Sequence, residues 1–156
     1  MKLLAAAFTL HFIADFILQP RTMGKKKSES LKWLAGHLAI QLVVMAVGLS
    51  YLVDAKTALA IAGINAVVHG VVDWYIWRGY KWLVLKRIQA QAKKTIEYRT
   101  KQQPSFAQAD FLIQEELKHQ SAHWRYWEDH WFYVTIGFDQ LLHGLTLIAV
   151  IEILKI

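Results

Sequence analysis

Hydrophobic positions in this chain gather into four long blocks, set apart by stretches rich in Lys, Arg, Gln and Glu. The blocks run from Leu3 to Leu18, Trp33 to Val53, Thr57 to Trp77 and Trp131 to Leu154. A helix rises about 1.5 Å per residue, so roughly 20 residues cross a hydrocarbon core about 30 Å thick. The second block has that length without a charged residue, and the third has it with Asp73 alone. Only Asp54-Ala55-Lys56 separates these two, which predicts an antiparallel helical hairpin. The expected fold is all-α: a polytopic membrane protein with about four transmembrane helices (about 3–19, 33–53, 57–77 and 131–154). It forms a single membrane domain, 1–156, into which 78–130 is inserted as a basic, aromatic-rich helical segment.

Two other readings of the blocks are weaker. Met1-Lys2 before an apolar run resembles a secretory signal. However, His11 and Asp15 would then sit inside its apolar region, and no small-residue cleavage motif precedes Gln19-Pro20. A soluble bundle with a greasy core does not explain Trp33, Trp74, Trp77 and Trp131 at the block ends, where interfacial aromatic belts lie.

Loop charge sets the orientation. The connection from Pro20 to Lys32 holds Arg21, Lys25, Lys26, Lys27 and Lys32 against Glu29, and 78–101 holds eight basic residues against Glu97. The opposite side has Lys2, the Asp54/Lys56 turn and Lys155. The positive-inside bias therefore places both basic segments in the cytoplasm and both termini outside it, in a bacterial inner membrane. In the insertion, Tyr80, Trp82, Leu83, Leu85 and Ile88 alternate with Lys81, Lys86 and Arg87. This is the pattern of an interfacial helix, or of a cytosolic extension of the third span, meeting anionic headgroups. Gln102-Gln103-Pro104-Ser105 breaks it, and Ser105 can cap a further helix with Asp110 in its early turns. His123 to Tyr133 reads as an aromatic belt where the chain returns to the membrane.

Composition narrows the chemistry. Cysteine is absent, which excludes disulfides, thiolate metal sites and a cysteine nucleophile. The net charge of +6 is concentrated next to apolar blocks, so membrane lipid is the expected partner and nucleic acid is not. Neither a glycine-rich phosphate loop nor a Gly-x-Ser-x-Gly nucleophile occurs.

The apolar blocks contain ionisable residues, which are expensive there and mark functional interiors. His11-x3-Asp15, His69-x3-Asp73 and Asp139-x3-His143 are three His–Asp pairs one helical turn apart, and His37 stands in the second block. Measured along each helix, all seven fall within roughly 6 to 18 Å of the cytoplasmic boundary. Residues four apart share a face, so His11, Asp15 and Gln19 form one stripe and Asn65, His69 and Asp73 another. His37 with Gln41, and Asp139 with His143, form two more. Gly36, Gly63, Gly70, Gly137 and Gly144 lie beside them, where small residues let membrane helices approach. The likeness of His-Phe-Ile-Ala-Asp-Phe (11–16) to His-Gly-Val-Val-Asp-Trp (69–74) hints at an internal duplication.

Imidazole and carboxylate ligands suit zinc, manganese or iron. Four His and three Asp exceed the needs of one tetrahedral ion and would suit two ions about 3.5–4 Å apart, which activate water and clamp phosphoryl oxygens. The bland alternative is that each pair hydrogen-bonds and staples helices together. A second constellation, Glu115-Glu116-x2-His119-x3-His123, resembles half of a di-iron carboxylate motif but has no second copy.

Taken with Phe16, Gln19, the Lys25–Lys27 loop and Gln140, these residues resemble a family of small bacterial and phage-encoded membrane proteins known as a domain of unknown function. The resembling pattern is His-x3-Asp-Phe-x2-Gln, a lysine-rich loop, a His in the second span and Asp-Gln-x2-His. It covers the apolar blocks, with the 78–130 segment unmatched. The resemblance implies an integral membrane protein of about four helices and no particular activity. A looser likeness to membrane-bound metal-dependent hydrolases lacks their His-Arg and Thr-His-Ser motifs.

The sequence thus predicts a divalent metal site at His11, Asp15, His37, His69, Asp73, Asp139 and His143. Asp15, Asp73 and Asp139 are the candidate proton acceptors of a phosphoester or lipid-linked hydrolase. Gln19 and Gln140 would orient ligands or substrate, and Lys25, Lys26 and Lys27 would attract an anionic headgroup. The competing expectations are cation or proton transport, and a structural or regulatory protein that recruits a partner through its basic segment. A homo-oligomer is compatible with each.

Overall fold

The computed structural model describes residues 1–102 (backbone alone at 99, 100 and 102), 114–119 and 128–154. Every regular element there is helical, and no strand occurs among the described residues. In order these are α1 (Lys2–Phe12), a π-helical turn (Ile13–Ile17), α2 (Arg21–Lys26), α3 (Leu31–Leu49), α4 (Ala55–Gln102) and α5 (His130–Ile153). A short helical stretch at 114–119 lies between the last two in sequence. The expected Ser105 cap, Asp110, most of the 123–133 aromatic run and Lys155 fall outside the described residues.

Three helices, α3, α4 and α5, are long and apolar enough to cross a membrane. The first apolar block is divided instead. Eleven residues of α-helix are followed by a five-residue π turn, short of the roughly 20 residues a span requires. The third block continues past Trp77, matching the alternative in which the basic segment extends the third span. It runs on without a break as a helix of 48 residues, so the basic segment begins as its extension.

The chain forms two compact units, Met1–Arg78 with Thr135–Ile156, and Gly79–Val134. The first is built inside out. Its buried positions include His11, Asp15, Lys27, His37, Gln41, Asn65, His69, Asp73, Asp139 and His143, while Val43, Val47, Leu59, Val67, Val71, Phe138, Leu141 and Leu145 are exposed. Burial follows the helical period: His37, Gln41, Met45 and Leu49 recur every four residues on α3, and Asp139, His143 and Leu147 do so on α5. Along each helix the polar members come at one end. The other end holds an apolar core of Ala7, Met45, Leu49, Ala58, Ile61, Ala62, Leu147, Val150 and Ile151.

Tight joints fix this arrangement. Asp54 Oδ1 accepts the backbone N–H groups of Lys56 (3.0 Å) and Thr57 (3.1 Å), capping the start of α4 after the connection from α3. Hydrogen bonding from the Thr57 side chain first, and then from these backbone groups, holds the Asp54 carboxyl below its ordinary pKa. Gly48 packs so closely on Leu10 that a Cβ would overlap both methyl carbons of that side chain, and a Cβ at Gly70 would lie 2.8 Å from Leu38 Cδ1. Gly63 and Gly137 have open space instead. Gly48→Ala is therefore expected to destabilise the fold by about 1–3 kcal/mol through overpacking. Gly63→Ala should be neutral or slightly stabilising because it replaces a helical glycine. Thermal or denaturant unfolding in detergent checks the contrast, and equal effects would contradict it.

In the second unit, Tyr80, Val84, Ile88, Ala92 and Ile96 form a buried stripe along α4. Asp129 ties the start of α5 to it. One carboxylate oxygen accepts from Tyr80 Oη (2.9 Å), and the other accepts the Trp131 backbone N–H (3.1 Å) and meets Arg87 Nη1 (3.5 Å). Glu115 and His119 lie exposed on 114–119 and join no metal-capable group among the described residues, while His123 is outside them.

Candidate metal centre

All seven His and Asp residues singled out by the sequence lie within the first unit, and all seven are buried. They come from five elements. His11 is on α1, Asp15 on the π turn, His37 on α3, His69 and Asp73 on α4, and Asp139 and His143 on α5. The π turn winds by i→i+5 hydrogen bonds, seen in the Leu18 N–H to Ile13 carbonyl bond of 2.9 Å. Such turns are frequent at functional sites. Here one carries Asp15 into contact with α3.

The tightest grouping is Asp15, His37, His69 and Asp73. His37 Nε2 is 2.7 Å from His69 Nε2, 3.2 Å from Asp15 Oδ1 and 3.4 Å from Asp73 Oδ2. His69 Nε2 is 3.0 Å from Asp73 Oδ2 and 3.9 Å from Asp15 Oδ1. Donor atoms about 2.0–2.1 Å from a tetrahedral zinc sit roughly 3.3–3.4 Å from one another. The observed separations bracket that value, with two nitrogens and two oxygens of suitable chemistry. The donor set fits a divalent ion.

A second set adjoins it. One ligand atom each of His11, His69 and His143 lie within 4.8 Å of one another, and so do those of Asp15, Asp139 and His143. The His69 and His143 rings stack with centroids 4.1 Å apart, and His11 stands 5.0 Å from both. Neither ring nitrogen of His11 or His143 has a hydrogen-bond partner among the described residues, and Asp139 Oδ2 is 3.7 Å from His143 Nδ1. Leaving a buried polar group unsatisfied costs about 1–3 kcal/mol. Two adjacent imidazoles in that condition favour a ligand role over simple stapling.

Gln140 links the sets, donating from Nε2 to Asp15 Oδ2 (3.1 Å) and lying 3.3 Å from Asp139 Oδ2. Gln19 instead lies beside α2, where a Cβ at Gly24 would approach its Nε2 to 2.8 Å. Gln41 donates to the His11 carbonyl at 3.5 Å, and Asn65 Nδ2 contacts Met45 Sδ at 3.1 Å, so both line the floor of the cluster.

Lys27 corrects the sequence reading. It was expected to reach for headgroups with Lys25 and Lys26, which are exposed. Lys27 is buried, and its Nζ lies 2.8 Å from Asp73 Oδ2, 3.0 Å from Asp15 Oδ1 and 3.4 Å from His37 Nε2. Burial alone would lower its pKa, but the Asp73 and Asp15 carboxylates outweigh that and hold the ammonium's pKa above its ordinary value. The physical reason is local. Met23 is buried four residues earlier, beside Gly36 of α3, and this turns the same side of the short α2 arm, with Lys27, toward the bundle.

Neither the curated proteins nor the solved structures contain a match to this chain. The model of the family described as "Protein of unknown function (DUF3307)" matches residues 3–156, so the cluster and both units fall within it. On that match, the chain belongs to the DUF3307 family.

Proposed function

We propose that this chain is an integral membrane metalloprotein of the bacterial inner membrane. Its centre holds one or two divalent ions (zinc, manganese or iron) near the cytoplasmic leaflet and hydrolyses a phosphoester or lipid-linked substrate. The observation that carries this is the convergence of Asp15, His37, His69 and Asp73 donor atoms at metal-ligand spacing in a buried site. The membrane part rests on the inverted packing, with ionisable groups inside and Val, Leu and Phe outside on helices of spanning length. Loop charge supplies the orientation, with the basic segments facing the cytoplasm and α5 ending away from it.

Within the centre, Asp15, His37, His69 and Asp73 would hold one ion, with His11, Asp139 and His143 offered to a second. Such ions supply Lewis acidity toward a phosphoryl oxygen and make water a better nucleophile at neutral pH. Asp139, tied to Asp15 through Gln140, is the carboxylate placed to accept a proton. Lys25 and Lys26 would draw an anionic headgroup toward the site.

Two competing readings remain distinguishable. Transport needs polar groups continuing through the bundle, whereas Met45, Leu49, Ile61 and Leu147 fill the core beyond the cluster. A purely structural cluster is favoured by one observation, the pairing of both Asp15 and Asp73 with the Lys27 ammonium. Elemental analysis of detergent-purified protein separates them. The expected result is about one to two equivalents of a divalent metal. Chelation should remove it together with phosphate release from a lipid phosphate in mixed micelles, and zinc or manganese should restore both. Protein that binds no metal before or after reconstitution would overturn the proposal.

A further inference from the structure

We infer that Lys27 is a tethered cation occupying the first metal position, so that its ammonium and a divalent ion exclude one another and the α2 arm gates loading of the centre. The inference rests on the metal-binding reading above and adds its regulation. A lysine ammonium has three N–H donors and no lone pair. Its three contacts, Asp73 Oδ2, Asp15 Oδ1 and His37 Nε2, are three of the four atoms that would ligate the ion. Lys27 thus engages the donor set that a metal needs without itself being able to join it. A dication bonded to those atoms would face the ammonium at close range, in a buried site where water screens little. Both charges cannot share the position, so binding moves a charge outward; no proton transfer is required.

The local structure allows that movement. Lys27 follows the six-residue α2 and precedes α3, so it sits on a connecting arm, while the ligands sit on helices and the π turn. Its neighbours Lys25 and Lys26 are exposed, so a four-carbon stem has only a short distance to carry the ammonium to the same surface. Met23 and the Lys27 N–H to Met23 carbonyl bond (2.8 Å) can hold the arm while the side chain alone swings. The +1 cation stabilises the two carboxylates when metal is scarce. It also raises the metal concentration needed to fill the site.

Zinc titration and amine labelling of the full chain in detergent test this. A water-soluble acylating reagent, read by peptide mass spectrometry, should modify exposed Lys26 with or without zinc. Lys27 should be protected at least about tenfold in metal-free protein and should lose that protection once zinc binds. Lys27→Met keeps the stem and removes the charge, and it should bind zinc at least about tenfold more tightly. Wild-type protein that binds zinc while Lys27 stays protected, with unchanged affinity in the variant, would overturn the gating inference and leave the metal centre standing. Absence of zinc binding in both proteins would overturn the metal reading and this inference with it. The labelling arm uses wild-type protein, so it decides the matter even if the variant misfolds.

Discussion

His69→Ala is expected to abolish metal binding, the largest single effect of any substitution in the chain. His69 belongs to both adjoining donor sets, with Asp15, His37 and Asp73 on one side and His11 and His143 on the other. Its Nε2 lies 2.7 Å from His37 Nε2, and its ring stacks on His143. Loss of a group that merely orients a ligand costs about 10–100-fold in metal affinity, so loss of a shared ligand should exceed 100-fold. His143→Ala touches only the second set and should leave about one equivalent where two are bound. Metal-to-protein ratios from elemental analysis check both variants. Full retention of metal by His69→Ala would show that the ions, if any, bind elsewhere.

Asp73→Asn should produce the second largest effect, on stability. The substitution preserves shape but removes the carboxylate nearest the buried Lys27 ammonium, 2.8 Å away. Breaking a buried ion pair from one side typically costs about 3–5 kcal/mol, because the remaining charge is left poorly compensated. Asp15, at 3.0 Å, retains part of the interaction, so the lower end of that range applies. Adding Lys27→Met in the same chain should recover most of the loss. Unfolding of the single and double variants in detergent, completed as a thermodynamic cycle, measures the coupling. Additive effects would mean that the pair contributes little.

The same chemistry made much of the centre legible beforehand. His69 and Asp73, four apart in an apolar block, had to share a face, and their cost in such surroundings singled them out. Equal depth along each helix suggested that His11, His37, Asp139 and His143 belonged with them, and their side chains do converge. Lys27 was not legible as a member. Three consecutive lysines in a connection read alike, and the only cue was Met23, an apolar residue one turn earlier in a polar stretch. The π turn was hidden because five residues from Ile13 to Ile17 are too few to distinguish its winding from an ordinary helix. The extent of α4 was obscured at Trp77-Arg78-Gly79, which resembles a stop. The stripe Tyr80, Val84, Ile88, Ala92 and Ile96 carries the helix onward by a four-residue spacing that the interleaved basic residues mask.

The brevity of α1 bears on how such a protein would be assembled. An Asp in an apolar segment opposes translocon insertion, less near the end of a helix than at its centre, and the short Lys2–Ile17 stretch has few residues with which to offset Asp15. On the membrane reading, this segment cannot settle in lipid by its own hydrophobicity. It is retained by partners made later in synthesis, Lys27 and Gln140 above all, so a side chain made 125 residues after Asp15 completes the anchoring of the first helix.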